Sequence, residues 1–323
     1  MGQASVGEQA AAIPELLLRV QQSVQSVIRG KDEVIRLALV ALLARGHLLI
    51  EDVPGVGKTT LAHALAHSFN CAFQRIQFTS DMLPSDVIGV SVFNQQTQRF
   101  EFRPGPIFAN IVLADEINRT TPKTQSALLE AMNENQVTVD NRTSPLPQPF
   151  MVMATQNPIE HHGTYPLPES QLDRFLMRLQ IGYPSAASEK EILQDFADSD
   201  PLANLRPVMT GAEVVAIQSS VRRVKVDEEL VNYTLAVVEK TRQHEYLSLG
   251  VSPRGSMSLY RAAQALAFLE GRDYCIPDDF KRLMLAVFSH RCVVSSRYLS
   301  TLKKSDQSRA ILEGIIESTP VPL

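Results

Sequence analysis

Cysteine is scarce, charge is nearly balanced and no long apolar run interrupts this 323-residue chain. The three cysteines, Cys71, Cys275 and Cys292, are odd in number and lack metal-ligand spacing. They favour reduced, buried thiols over a disulfide framework and point to a cytoplasmic setting. A formal net charge of −4 gives no global electrostatic reason to bind nucleic acid, although basic residues lining a pore would escape that sum. The longest apolar run, Leu37 to Ala44, falls far short of the ~18 residues that a spanning helix needs, so a core helix is expected and membrane insertion is not. The N-terminus, carrying Glu8 and Pro14, lacks the basic segment and apolar stretch of a secretory signal. Neither a low-complexity tract nor an internal repeat is visible. What is present is a 44% hydrophobic chain, long enough for about two domains.

The most informative stretch runs from Glu51 through Asp52, Val53, Pro54, Gly55, Val56, Gly57, Lys58 and Thr59 to Thr60. His47 to Ile50 before it has the character of a buried strand, and Leu61, Leu65 and Phe69 after it repeat every four residues, as one face of a helix requires. In a strand–loop–helix setting, backbone N–H groups around Gly55 and Gly57 converge on phosphate oxygens, Lys58 reaches the β/γ-phosphates and Thr59 ligates Mg²⁺. The match is partial, because Asp52 stands where G-x-x-x-x-G-K-[ST] asks for its first glycine. Downstream, Ile111 to Ala114 form an apolar strand ending in Asp115 and Glu116. Adjacent strand residues face opposite ways, so Asp115 can hold the Mg²⁺ water shell while Glu116 polarises an attacking water.

Candidate strands at 47–51, 73–78, 111–115 and 150–154 alternate with helical patterns, giving an α/β layered core over residues 14–183. Beyond Tyr183 the strand signals cease, and residues 184–323 are expected to be helical. Leu230, Tyr233, Thr234 and Val237 follow helical spacing, as do Leu259, Ala262, Ala263 and Leu266, and Phe280, Leu283, Met284 and Val287. Pro253 and Pro277 mark helix starts. Asp198 to Pro207 is expected to be a loop. Two hairpins interrupt the core: 91–94 with 99–102 around the polar tip Gln95 to Gln98, and 136–140 with the run into Phe150 around Asn141 to Ser144. Each is either a plain surface hairpin or a working insert. His161 and His162 are adjacent in a loop, a poor arrangement for sharing one metal ion.

With these motifs assembled, nearly the whole chain resembles the MoxR family of AAA+ ATPases. Glu51 to Thr59 is similar to that family's phosphate loop, in which a Glu-Asp-x-Pro opening replaces the first glycine. The block from Leu113 through Thr120 and on from Gln125 to Met132 is similar to its most recognisable segment. The resemblance implies an α/β P-loop NTPase fold: an αβα core with a parallel sheet, followed by a helical lid. It also implies ATP and Mg²⁺ as cofactors, with Pro54, Gly55, Val56, Gly57, Lys58, Thr59 and Thr60 on the phosphates and Thr59 and Asp115 at the metal. Glu116 is implied as the water-activating base and Asn157, closing Ala154 to Pro158, as sensor 1. Arg174 in Gln171 to Phe175 resembles the arginine finger, with Arg178 one turn on as the alternative. Arg254 in Ser252 to Gly255 resembles sensor 2, placed near the nucleotide from the lid. Val27 and Ile28 either pack on the adenine or belong to the core, and Arg119 either faces a neighbouring subunit or forms a local ion pair.

The family likeness further implies a homo-oligomeric ring, usually hexameric, and chaperone-like remodelling or maturation of a client with a von Willebrand factor A domain partner. A nucleic-acid motor or loader is the alternative from another class. A slow nucleotide-gated scaffold is the third reading, but it has no need of a water-activating carboxylate such as Glu116.

Overall fold

The chain is described from a computed structural model that covers residues 6–157, 163–198, 201–295 and 304–322. It opens with α1 (Val6–Gln25) and α2 (Asp32–Leu43), then runs through β1 (Leu48–Glu51), α3 (Lys58–Ser68), β2 (Phe73–Gln77) and the short α4 (Pro84–Ile88). A hairpin of β3 (Gly89–Asn94) and β4 (Arg99–Pro104) precedes β5 (Ile111–Asp115) and α5 (Pro122–Glu134). A second hairpin, β6 (Gln136–Val139) and β7 (Arg142–Pro145), leads into β8 (Met151–Gln156), α6 (Glu169–Leu172) and β9 (Met177–Leu179). There follow α7 (Ala186–Asp198), α8 (Gly211–Val221), α9 (Glu228–Gln243), β10 (Leu247–Leu249), α10 (Pro253–Leu269), α11 (Pro277–Phe288), β11 (Val293–Val294) and α12 (Lys304–Glu317).

Five parallel strands form one sheet in the order β2-β5-β8-β1-β9. β5 is buried along its whole length and β8 as far as Thr155, which is why both read as continuous apolar runs. Their side chains nonetheless alternate between two cores. Leu48, Ile50, Ile111, Leu113, Met151 and Met153 pack on one face; Leu49, Val112, Ala114, Val152 and Ala154 pack on the other with Leu128 and Met132 of α5. The first face is continuous with the C-terminal helices, since Leu259, Leu266, Phe280 and Leu283 belong to the same cluster. The lid helices are thus packed into the same hydrophobic core as one side of the sheet.

The four expected strands are present to within two residues at their ends, and α10 and α11 begin at Pro253 and Pro277 as expected. Three expectations need correction. β9 adds a fifth strand at the sheet edge beside β1, where three residues were too few to give a periodic signal. The C-terminal part is not wholly helical, because β10 and β11 pair antiparallel in a small ribbon. In the second hairpin the turn is Asp140 and Asn141, both at positive φ, and Arg142 to Ser144 already belong to the return strand. His161 and His162 lie outside the described residues.

The first hairpin has the expected strands and polar tip. Gly89 at its base has φ of 100°, and a β-carbon there would lie 2.3 Å from the Arg103 carbonyl, so only glycine fits. Phe93 and Phe100 meet edge-to-face on its exposed side, 5.3 Å apart between ring centres.

A buried guanidinium joins the lid to the sheet. Arg291, just beyond α11, has a side chain only 1% exposed. It donates to the Asp173 carboxylate at 2.8 Å and to the carbonyls of Asp173, Phe175, Leu176 and Val287. Ser252 Oγ, which caps α10 by accepting from Gly255 N–H, also lies 2.9 and 3.0 Å from the two Asp173 oxygens. Removing the acid from a buried pair leaves an uncompensated charge. Asp173→Ala should therefore lower the unfolding free energy by about 3–5 kcal/mol, read by urea denaturation, and a change within experimental error would contradict this role.

Candidate functional site

The loop after β1 lies at the C-terminal end of the parallel sheet, where open α/β folds place ligands. Gly55 and Gly57 have φ of 85° and 91°, and Gly57 is the residue immediately before α3. A β-carbon at Gly57 would touch only Ile28 Cδ1, at 3.7 Å, so the backbone conformation and not space demands glycine there. Asp52 is 8% exposed. Its carboxylate accepts from Val53 N–H at 3.0 Å and from the N–H groups of Ile181 and Gly182, each at 2.6 Å. The residue that broke the glycine pattern therefore fastens the loop to the segment beyond β9. Lys58 Nζ donates to the Asp52 carbonyl at 2.9 Å.

Beside the loop is a cavity of about 330 Å³, lined by Val27, Ile28, Gly55, Gly57, Thr60 and Ile192 among others. Val27 and Ile28 line this cavity beside the phosphate loop; Ile28 belongs to the core and Val27 packs against it, as the core reading of the pair expects. Arg29 and Asp195 pair at 2.9 Å across the same cavity, tying α7 to the segment after α1.

At the ends of the neighbouring strands β5 and β8, Asp115 and Asn157 are both 8% exposed. Asp115 accepts from Thr155 Oγ1 at 2.6 Å and from Arg75 of β2, whose Nη2 lies 2.6 Å away. Glu116 has left the strand: it adopts the left-handed conformation, φ 58° and ψ 47°, and its N–H donates to Thr155 Oγ1 at 2.9 Å. That backbone conformation costs on the order of 1–3 kcal/mol in a non-glycine residue and aims the carboxylate away from the strand direction. Gln77 Nε2 at 2.7 Å and Arg119 Nε at 3.1 Å hold Glu116 Oε2. Arg119 thus makes a local ion pair, the second of its two sequence readings. Thr59 and Asp115, one hydroxyl and one carboxylate, are the hard oxygen donors that a Mg²⁺ ion would take. Arg75, Gln77 and Thr155 were not singled out in the sequence; the polar residues of β2 were the available signal.

The three candidate arginines differ in their surroundings. Arg178 is committed to Glu51 at 3.2 Å, with only 11% of its side chain exposed. Arg174, whose Nη1 donates to the Leu129 carbonyl at 3.0 Å, opens into a cavity of about 600 Å³. Arg254 lines the same cavity. So do Gly46, His47, Phe150 and Leu176, which precede β1, β8 and β9, so the cavity lies at the strand-start end of the sheet, opposite the phosphate loop. The expectation that Arg254 lies near its own chain's nucleotide is therefore corrected. Packing of α10 against α2 and the Ser252–Asp173 contact hold it at the far end.

With this geometry in view, known proteins can be compared. Residues 47–177 match the ATPase family associated with various cellular activities (AAA), and residues 239–313 match the AAA lid domain. The chain is 42% identical to Chaperone MoxR1 of Mycobacterium tuberculosis, over 98% of this chain and 85% of that protein. It belongs to the MoxR family of AAA+ ATPases. This MoxR-family chain is also 51% identical to the uncharacterised protein YeaC of Bacillus subtilis, over 95% of each, and 29% identical to Protein MoxR of Methylorubrum extorquens, over 94% of each. A crystal structure from Cytophaga hutchinsonii, named provisionally as an ATPase, superposes with a TM-score of 0.90 at 36% identity, covering 98% of both chains. The fold is accordingly the α/β P-loop AAA+ core with its helical lid.

His47 ties β8 to the end of α5 at the strand-start end of this MoxR-family core. Its Nδ1 accepts from Val152 N–H and its Nε2 meets the Met132 carbonyl, both at 3.0 Å, while the ring packs edge-on against Phe150. Burial holds its pKa down at about 4, against an ordinary 6.5. Above pH 6.5 the ring is neutral whether the chain is folded or not. Between there and about 4 the unfolded chain binds a proton that the folded chain rejects, so stability declines as pH falls, by up to about 3 kcal/mol. His47→Gln should flatten the plot of unfolding free energy against pH in that window by up to about one proton; parallel plots for the two proteins would contradict this.

Proposed function

We propose that this MoxR-family chain hydrolyses ATP at sites completed between neighbouring copies in a ring, and uses the cycle to remodel other proteins. The observation that carries the reading is the separation of Arg174 and Arg254 from their own phosphate loop, together with their shared cavity. A neighbour's nucleotide docked against that cavity would meet both arginines at once.

In this mechanism Lys58 and the N–H groups from Gly55 to Thr60 hold the phosphates, while Val27 and Ile28 pack on the base. Thr59 and Asp115 would hold Mg²⁺, which would neutralise charge on the nucleotide's phosphates. Glu116, fixed by Gln77 and Arg119, takes a proton from the attacking water, which Asn157 orients. The water oxygen bonds to the γ-phosphorus as the bond to the bridging oxygen breaks, leaving ADP and phosphate. Arg174 of the adjacent copy neutralises the charge on the transferring group, and Arg254 beside it extends that contact.

The wider role is chaperone-like action on a client protein, with a von Willebrand factor A domain protein as partner, in a cytoplasmic six-membered ring, as the family likeness implies. The likeness to Chaperone MoxR1 supports the first part of this reading. The exposed Phe93–Phe100 pair offers an apolar contact for a client. Among the described residues no helix is long and apolar enough to cross a membrane.

ATP turnover per chain, measured against protein concentration, tests the shared site. The expected result is a specific activity that rises with concentration, falls by roughly 10²–10⁴-fold in Glu116→Gln, and drops out of proportion when Arg174→Ala chains are mixed into wild type. Activity indifferent to concentration and to mixing would mean a self-contained site, and stimulation by DNA would favour a nucleic-acid motor instead.

A further inference from the structure

Arg45, Arg174, Arg222, Arg254 and Arg261 all line the cavity of about 600 Å³ at the strand-start end of the sheet. No aspartate or glutamate shares that lining, and among the described residues none of the five is ion-paired. By contrast, Arg29, Arg75, Arg178, Arg272 and Arg291 outside the cavity each meet a carboxylate within 3.2 Å. The five arginines of the cavity come from four separate parts of the chain. Arg254 and Arg261 stand two turns apart on one face of α10, with Met257 and Ser258 between them on the same wall. Arg222 closes α8, Arg45 follows α2, and Arg174 comes from the segment before β9. Burial and the nearby Arg222 both lower the pKa of Arg45, as expected where like charges converge.

Guanidinium groups bind phosphate oxygens through paired, charge-assisted hydrogen bonds, and several around one hollow suit a chain of phosphates better than a single carboxylate. The volume falls in the range of about 300–1,000 Å³ typical of small-molecule sites. Asn133, Asn135 and Gln148 add neutral donors to the wall. We propose that this cavity is a polyphosphate-binding site in its own right, in which Arg222 and Arg261 act with Arg174 and Arg254. This rests on the shared-site reading in one respect: a free triphosphate seated there in an unassembled chain excludes the neighbour's nucleotide. Substrate in excess then opposes ring closure.

The test is calorimetric titration of the full-length Lys58→Ala chain, whose own phosphate loop is disabled, with inorganic triphosphate and separately with ATP at low salt. The expected result is residual binding of about one equivalent per chain, weakened about tenfold or more when Arg222→Gln and Arg261→Gln are added. It should also weaken steeply with salt. Similar affinity for the two ligands would assign recognition to the phosphates alone, and tighter ATP would add contacts to the nucleoside; both support the site. Lys58→Ala with Arg261→Lys keeps the charge but not the planar fork, guards against misfolding as the explanation, and should weaken binding less. No residual binding in Lys58→Ala, or binding that the two glutamines leave unchanged, overturns the proposal. Failure of the shared-site reading shows separately, as an Arg174→Ala chain that does not poison wild type.

Discussion

The guanidinium of Arg291 is the fixed point from which both ends of the arginine cavity are set. Burying a charge this completely costs several kcal/mol unless its donors are met, and here a carboxylate and four carbonyls meet them. Burial pulls its pKa down to about 10 while Asp173 opposes the shift, so the group stays charged at neutral pH. His290 beside it, also bound to the Phe175 carbonyl, is pushed well below its ordinary value by burial and by Arg291, so it adds no second charge. Asp173 immediately precedes Arg174, and Ser252, which shares Asp173 with Arg291, lies two residues before Arg254. The two arginines assigned to a neighbour's nucleotide are thus referenced to one buried ion pair.

The same strand that follows this ion pair leads to the phosphate loop. Arg291 holds the carbonyls of Phe175 and Leu176 before β9, and Asp52 holds the N–H groups of Ile181 and Gly182 after it. Between them Arg178 pairs with Glu51 of β1. A three-residue strand is therefore pinned at both ends and in the middle, and it runs alongside β1 from the arginine cavity to the N–H groups that hold Asp52 of the nucleotide loop. A change in either place meets a rigid strut and not a flexible linker.

Much of this was legible in the sequence because the signals were local. The loop from Asp52 to Gly57 needs positive φ at two glycines, and the strand before Asp115 needs an unbroken apolar run; both leave marks within ten residues. The first hairpin was legible for the same reason, with alternating side chains on either side of a polar tip. β9 was not, since it owes its existence to pairing with β1 and to anchors at Asp52 and Arg291, which are remote in sequence. The ribbon of β10 and β11 likewise depends on two segments more than forty residues apart. Asp52 looked like a defect in a motif because its partners, the N–H groups of Ile181 and Gly182, are about 130 positions away. Arg75 escaped notice because its value lies across the sheet, in register with the strand that carries Asp115.

Arg254 shows where motif reading reaches its limit. Its sequence context assigns a role, contact with nucleotide, but the chain copy that supplies the nucleotide is decided by packing. Leu259, Leu266, Phe280 and Leu283 join the core on the α1–α3 face of the sheet, and this fixes the N-terminus of α10 beside Asp173 and away from Gly57. To bring Arg254 round to its own phosphate loop, the lid would have to leave that core and expose several fully buried side chains, at roughly 1.5–3 kcal/mol each. Meeting a second copy requires no such rearrangement. The hydrophobic core, through the lid position it enforces, therefore favours a catalytic site divided between chains.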